Sequence, residues 1–196
     1  MPTECAPLPP EVCKRLTRAD CRALEAAGLL ESEQYELIDG ELVRKMGKSR
    51  LHAMVLKALL RWLRRTFGEP FIEHESSIDL SLTLDATNEP EPDAIVLRRA
   101  TAAFPVTNPG PADLVLVVEV AVTTREYDLG AKAAIYAMAG IADYWVLDLR
   151  ERRIVVHRNP SGARYASVTA YAADEMVSPL GAEAAPVCLR DLLPAD

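Results

Sequence analysis

The chain has 196 residues, 49% hydrophobic and 26% charged, the balance of a single globular domain with a sizeable core. No apolar stretch approaches the ~20 residues of a membrane span, and the opening MPTECAPLPPEVCKRL lacks a signal-peptide pattern, so a cytoplasmic protein with no membrane partner is expected. Net charge is −7, which argues against a nucleic-acid partner until its distribution is read: Leu42 to Gly68 holds no acid and carries +8, leaving −15 elsewhere.

In chain order, residues 1–30 read as a proline-rich arm and a short helix, and 31–196 as one domain. TRADCRALEAAG predicts that helix, with Thr17 as N-cap and Gly28 as stop. YELIDGELV predicts a β-hairpin whose Asp39-Gly40 turn supplies positive φ angles. That register sets Ile38 opposite Glu41 and Glu36 opposite Val43, with Glu36 and Glu41 on one face. The strongest helix spans about Arg50 to Thr66. At 100° per residue Leu51, Val55, Ala58, Leu59 and Trp62 form its apolar side, and Lys57, Arg61, Arg64 and Arg65 a basic stripe. His52 falls at the edge of Leu56, Leu59 and Leu63, either as a packing residue or as a site contact.

FIEHESSIDLSL and EPDAIVL predict two strands joined by DATNEP, followed by a Pro/Gly-rich loop from about Thr101 to Ala112. LVLVVEV then predicts a buried strand, REYDLGAKAAIYAMAG a helix ending at Gly140, and ADYWVLDL a further strand. This is a βαβ crossover with a parallel strand pair. IVVHR predicts an antiparallel return, YASVTA an edge strand and VCLRDLL a closing segment. Cys5, Cys13, Cys21 and Cys188 fit neither a metal knuckle nor a secreted disulfide framework, and three scattered histidines exclude a histidine-rich zinc site.

Two carboxylates stand out. Asp93 opens EPDAIVL and Glu119 lies within LVLVVEV, a run whose unbroken apolar character marks a strand buried on both faces. An unpaired carboxylate there costs several kcal/mol, roughly, unless neutralised, paired or bound to a cation. Hard divalent cations such as magnesium take oxygen ligands and keep several waters, so two carboxylates suffice for one site. Lys132, four residues after Asp128 and four before Tyr136, is placed to assist, or to form a surface pair with Asp128. The plainer account has Asp93 ending a turn and Glu119 paired with a core arginine. Asp148, at the end of the next strand, reads as a turn or capping residue that could approach the site.

The ordered set YELIDGELV, HAMVLKALLRWL, EPDAIVL, LVVEV and YDLGAKAAIYAMAGIADYWVLDL resembles the bacterial putative restriction endonuclease family, long a domain of unknown function, of the PD-(D/E)XK nuclease superfamily. The resemblance covers about Tyr35 to Arg158. It implies an α/β fold, a restriction-endonuclease-like mixed β-sheet core flanked by helices. It matches Asp93 to the family's metal-binding aspartate and Glu119 to the acid of the (D/E)XK half-motif. The superfamily's lysine is replaced by Ala121, and Lys132 is the candidate for a migrated catalytic lysine. AVTTREYD departs from the family's usual leucine-serine-proline turn. Glu36 or Glu41 is a candidate for an additional active-site acid.

The function this implies is a metal-dependent endonuclease acting on DNA phosphodiesters. Asp93 and Glu119 would hold Mg2+ (or Mn2+), and Lys48, Lys57, Arg61, Arg64 and Arg65 would contact DNA. A homodimer would serve both strands. The alternatives are a degenerate nuclease fold acting as a nucleic-acid-binding or regulatory protein, and a metal-dependent phosphatase for small substrates.

Overall fold

The computed structural model describes residues 14–31, 34–45, 49–80 and 86–194; Lys48 and the proline-rich arm to Cys13 lie outside the described residues. The first helix, α1 (Arg18–Ala26), starts where expected: Thr17 accepts from the Asp20 amide while the Asp20 carboxylate caps the Thr17 amide, a reciprocal capping box. Hairpin strands β1 (Tyr35–Ile38) and β2 (Glu41–Arg44) pair in the expected register, Ile38 with Glu41 and Glu36 with Val43. Asp39 and Gly40 take φ of 50° and 78°. Gly40 is required twice over, because a Cβ there would also stand 2.5 Å from the Arg15 side chain. The hairpin is tied to the preceding and following loops by Leu16 N–H to Gly40 C=O and Asp39 N–H to the Asn88 side-chain oxygen.

Helix α2 (Arg50–Phe67) is capped by Ser49 and ends at Gly68. Its buried stripe is His52, Val55, Leu56, Leu59, Leu60 and Leu63, rotated from the expected centre. Leu51 is 38% exposed, and Ala58 and Trp62 are only half-buried. The 4-3-4 spacing of 52, 56, 59 and 63 is the seam that meets the sheet, and this carries His52 inward. Trp62 stacks against Trp145 at the margin, with ring centroids 6.2 Å apart.

The main sheet runs β3 (Ile72–Glu73), β4 (Ala94–Leu97), β5 (Leu114–Ala121), β6 (Asp143–Asp148), β7 (Arg153–Ser161) and β8 (Arg164–Ala172), neighbours in that order. β5 and β6 are parallel and all other pairs antiparallel, which makes the expected mixed sheet. The strand expected over FIEHESSIDLSL shrinks to Ile72–Glu73, because Glu75 turns to φ 53° and breaks the ladder. Ile78 and Leu80 nonetheless reach the core, fully buried, with the Ile78 and Asp79 amides bonded to the Pro90 and Pro109 carbonyls.

Alternation along β5 divides the core. Leu116, Val118 and Val120 pack beneath α2, whereas Val117 and Ala121 face the crossover helix. That helix, α3, runs in three consecutive pieces, Arg125–Tyr127, a π-turn Asp128–Lys132, and Ala133–Met138, before Gly140 at φ 78°. An ordinary helix drifts about 40° over four residues. The wider π-turn offsets that drift, and Asp128, Lys132 and Tyr136 are all buried. The closing helix α4 (Leu189–Leu192) seals the α2 face.

Candidate active site

The register Ala94 with Val118 brings Asp93, one residue before β4, beside Glu119. The Asp93 amide approaches Glu119 Oε2 at 3.4 Å, and the Val120 amide donates to Asp93 Oδ2 at 2.8 Å. Both carboxylates line one cleft at this end of the sheet. From α3, Lys132 Nζ sits 2.9 Å from Glu119 Oε1 and 2.9 Å from Glu36 Oε2. Tyr136 donates to the same Glu119 oxygen at 3.2 Å. Glu36 is steadied by the Glu91 amide at 3.0 Å, and Glu91 by Lys45 at 2.5 Å. From the first turn of α2, His52 Nε2 stands 3.1 and 3.2 Å from the two Asp93 oxygens. Thr124 donates to Asp128 Oδ2 at 2.6 Å. All of these but Tyr136 line a cleft of about 130 Å³ that also includes Arg44, Ser49 and Tyr127.

Electrostatically six carboxylates line the cleft, from Glu36, Glu75, Glu91, Asp93, Glu119 and Asp128, against the buried Lys132 ammonium and the less buried Arg44 and Lys45. Burial drives the Glu119 carboxyl well above the usual carboxylate range; Lys132 opposes that shift, while Asp128, Asp93 and Glu36 add to it. Burial likewise pushes Asp128 up to about 6 despite Lys132 and the Thr124 hydroxyl. For Lys132, burial favours the neutral amine, but Glu119, Glu36 and Asp128 together outweigh it and hold the pKa above the ordinary lysine value. The ammonium is thus a fixed cation rather than a proton acceptor.

The donor set suits a hard divalent cation. Glu119 Oε1 is taken by Lys132 and Tyr136, leaving Oε2 as the oxygen on the Asp93 side. Excess negative charge is left where the cation would sit. Among the described residues no group of three or more His, Cys, Asp or Glu is arranged as a complete metal cage, so any ion would rest on two carboxylates and water, which magnesium accepts.

A sequence profile of the Uma2 family, described as "Putative restriction endonuclease", matches residues 20–185. The chain belongs to that family. Among solved structures, one from Anabaena variabilis ATCC 29413, described as a putative nuclease belonging to DUF820, aligns with a TM-score of 0.63 and 17% identity, over 86% of this chain and 94% of that one. That likeness shows the fold. No curated protein matches.

Within the family's fold, the structure brings together Asp93, Glu119, Lys132 and Glu36. It leaves Glu41 exposed at the hairpin tip and outside the cleft lining. Ala121, on the same face of β5 as Glu119, is fully buried under α3, and the ammonium arrives from the helix instead. The surface pairing of Asp128 with Lys132 does not form; both are buried, and Lys132 bonds to Glu119 and Glu36. Asp148 serves its turn: fully buried, it accepts from Arg125, Arg153 and the Glu151 amide. Of the basic stripe, Lys57, Arg61 and Arg65 are exposed and Arg64 pairs with Glu69 at 2.9 Å, but none lines the cleft. Sequence reasoning left His52 undecided and gave no site role to Tyr127 or Tyr136. A histidine set into the leucine seam of α2, and a tyrosine four residues after Lys132, were the available signals.

Proposed function

We propose that this cleft is the active site of a metal-dependent endonuclease that hydrolyses DNA phosphodiester bonds. The observation that carries the reading is the convergence of Asp93, Glu119 and Lys132, from two adjoining strands and the crossover helix, on one end of the sheet. In this reading Asp93 and Glu119 hold Mg2+ (or Mn2+), and Glu36 fixes Lys132. A bound ion of that kind lowers the pKa of a coordinated water and neutralises charge on the phosphodiester. Lys132, held protonated by its two acids, stabilises negative charge that builds on the scissile phosphate. Arg44 at the cleft mouth, Lys48, and Lys57, Arg61, Arg64 and Arg65 along α2 contact backbone phosphates, which gives salt-dependent binding without sequence choice. Two copies of the chain present one cleft to each strand of a duplex.

Nicking of supercoiled plasmid in Mg2+ or Mn2+ tests the reading. Wild type is expected to cut, and Asp93→Asn and Glu119→Gln to lose activity while melting as folded proteins. Equal cleavage by all three would remove the assignment. A second reading has its own observation: Lys132 Nζ pairs with Glu119 Oε1 at 2.9 Å, which occupies one of the two acids with a protein cation. A nuclease fold retained as a nucleic-acid-binding protein would bind DNA with the same salt dependence and cut nothing under any divalent ion.

A further inference from the structure

His52 belongs to no pairing that the sequence anticipates, yet its ring reaches into the proposed site. It enters from the first turn of α2, on the opposite side of the sheet from Lys132. Its Nε2 lies 3.1 Å from Asp93 Oδ1 and 3.2 Å from Oδ2. Both Asp93 oxygens are acceptors, so Nε2 carries the hydrogen that joins them. The other ring nitrogen, Nδ1, is buried with no hydrogen-bond partner among the described residues.

A residue selected for packing alone would not look like this. His52 occupies one step of a seam otherwise built from Val55, Leu56, Leu59, Leu60 and Leu63. A leucine there would complete the stripe and leave no orphan nitrogen. The imidazole is explained by what Nε2 does.

We propose that His52 is the positioning residue for Asp93: its N–H spans the two carboxylate oxygens and, with the Val120 amide on Oδ2, fixes the plane in which Asp93 presents its remaining lone pairs to a cation. The inference rests on the cleft being a divalent-metal site and adds the device that orients one of its two ligands. Two anchors from different elements, the backbone of β5 and the side chain of α2, leave the carboxylate little rotational freedom. An outer hydrogen bond of this kind restricts how a metal ligand can turn, and its loss costs about 10–100-fold in metal affinity.

The test is a Mn2+ titration of the intact protein, read by calorimetry and by the electron paramagnetic resonance of bound Mn2+. It uses wild type, Asp93→Asn, His52→Leu and His52→Gln, alongside thermal melting and plasmid cleavage over a range of Mn2+ concentrations. His52→Leu is expected to weaken Mn2+ binding by about 10–100-fold without lowering the melting temperature, because it completes an apolar seam. Its cleavage should return as Mn2+ is raised. His52→Gln, which keeps an N–H donor, should recover most of the affinity. Wild-type affinity in His52→Leu would overturn the inference and leave the metal site standing, as would a loss in His52→Gln equal to that in His52→Leu. If wild type itself binds no Mn2+ above the level of Asp93→Asn, the metal site falls and the role of His52 falls with it.

Discussion

Replacing Lys132 with methionine removes one charge from a buried cluster. The Lys132 side chain is 4% exposed, and its partners Glu119 and Glu36 are 5% and 10% exposed. Methionine keeps much of the volume, so packing changes little and the loss is electrostatic. Stripping one partner from a buried ion pair costs roughly 3–5 kcal/mol, a large share of the ~5–15 kcal/mol that holds an ordinary domain together. At about 2–4 °C per kcal/mol for a chain of this length, the melting temperature at neutral pH should fall by about 6–20 °C.

The sign of the pH dependence follows. In wild type the Lys132 pKa is raised on folding, so its contribution is complete below the unfolded lysine value and persists through the neutral range, fading only as pH climbs through the higher folded value. Glu119 and Asp128 already rise on folding against the opposing pull of Lys132; without the ammonium they rise further, and the folded state regains stability as pH falls and they take up protons. The variant should therefore recover toward wild type between about pH 7 and pH 4, and Lys132→Met with Glu119→Gln should be more stable at pH 7 than Lys132→Met alone. Differential scanning calorimetry across that range measures all three. A Lys132→Met protein that melts within about 2 °C of wild type at neutral pH, or a double variant no better than the single, would refute the account of charge burial.

Three further outcomes follow from the same geometry. Asp128→Asn should stabilise the fold at pH 7 by up to about 3 kcal/mol, because the carboxyl rises from 3.8 to about 6 on folding and so penalises the folded state only above its unfolded pKa; a difference in melting temperature that does not vanish below pH 4 would contradict this. Charge neutralisation of Arg61 and Arg65 should lower the slope of log affinity for duplex DNA against log salt by about 1 per residue and leave the rate of cutting of bound DNA unchanged, as anisotropy titration and single-turnover cleavage would show. The same measurement on Arg44→Ala should raise KM for DNA more than it lowers kcat, since Arg44 stands at the cleft mouth; a loss confined to kcat would count against its contact with substrate.

The elements legible in the sequence are those whose pattern is local. The Asp39-Gly40 turn, the Thr17 cap, the βαβ unit from LVLVVEV to ADYWVLDL and the Gly140 stop all stand as read. The failures have a common cause in tertiary context. FIEHESSIDLSL reads as a strand, but the Ile78 and Asp79 amides bond to the Pro90 and Pro109 carbonyls instead of a ladder, which no local pattern reveals. The α2 stripe was read by hydropathy alone, and hydropathy counts His52 as polar. The seam spacing carries that polar position inward, and Asp93 accepts from it there.

The arrangement of the two acids and the lysine also bears on Ala121, where the resemblance to the PD-(D/E)XK pattern would put a lysine. β5 is buried on both faces, and a lysine at 121 would start from a fully buried backbone site beneath α3 and have to bend back toward Glu119. A lysine on α3 approaches Glu119 from across the interface and finds Glu36 on its far side. The hairpin thereby becomes part of the site: Glu36 supplies the second carboxylate that keeps a buried amine protonated, and the Glu91 amide with the Lys45–Glu91 pair holds the hairpin against the sheet. It follows that Glu36→Gln is not a neutral edit of a surface strand. Halving the charge on Lys132's partners should free Nζ to lie on Glu119 alone, strengthen that pair and weaken Mn2+ binding, with the melting temperature much less affected than in Lys132→Met. An unchanged Mn2+ affinity in Glu36→Gln would show that the ammonium and the metal do not compete for Glu119, and that the hairpin acid matters only for holding the lysine in place.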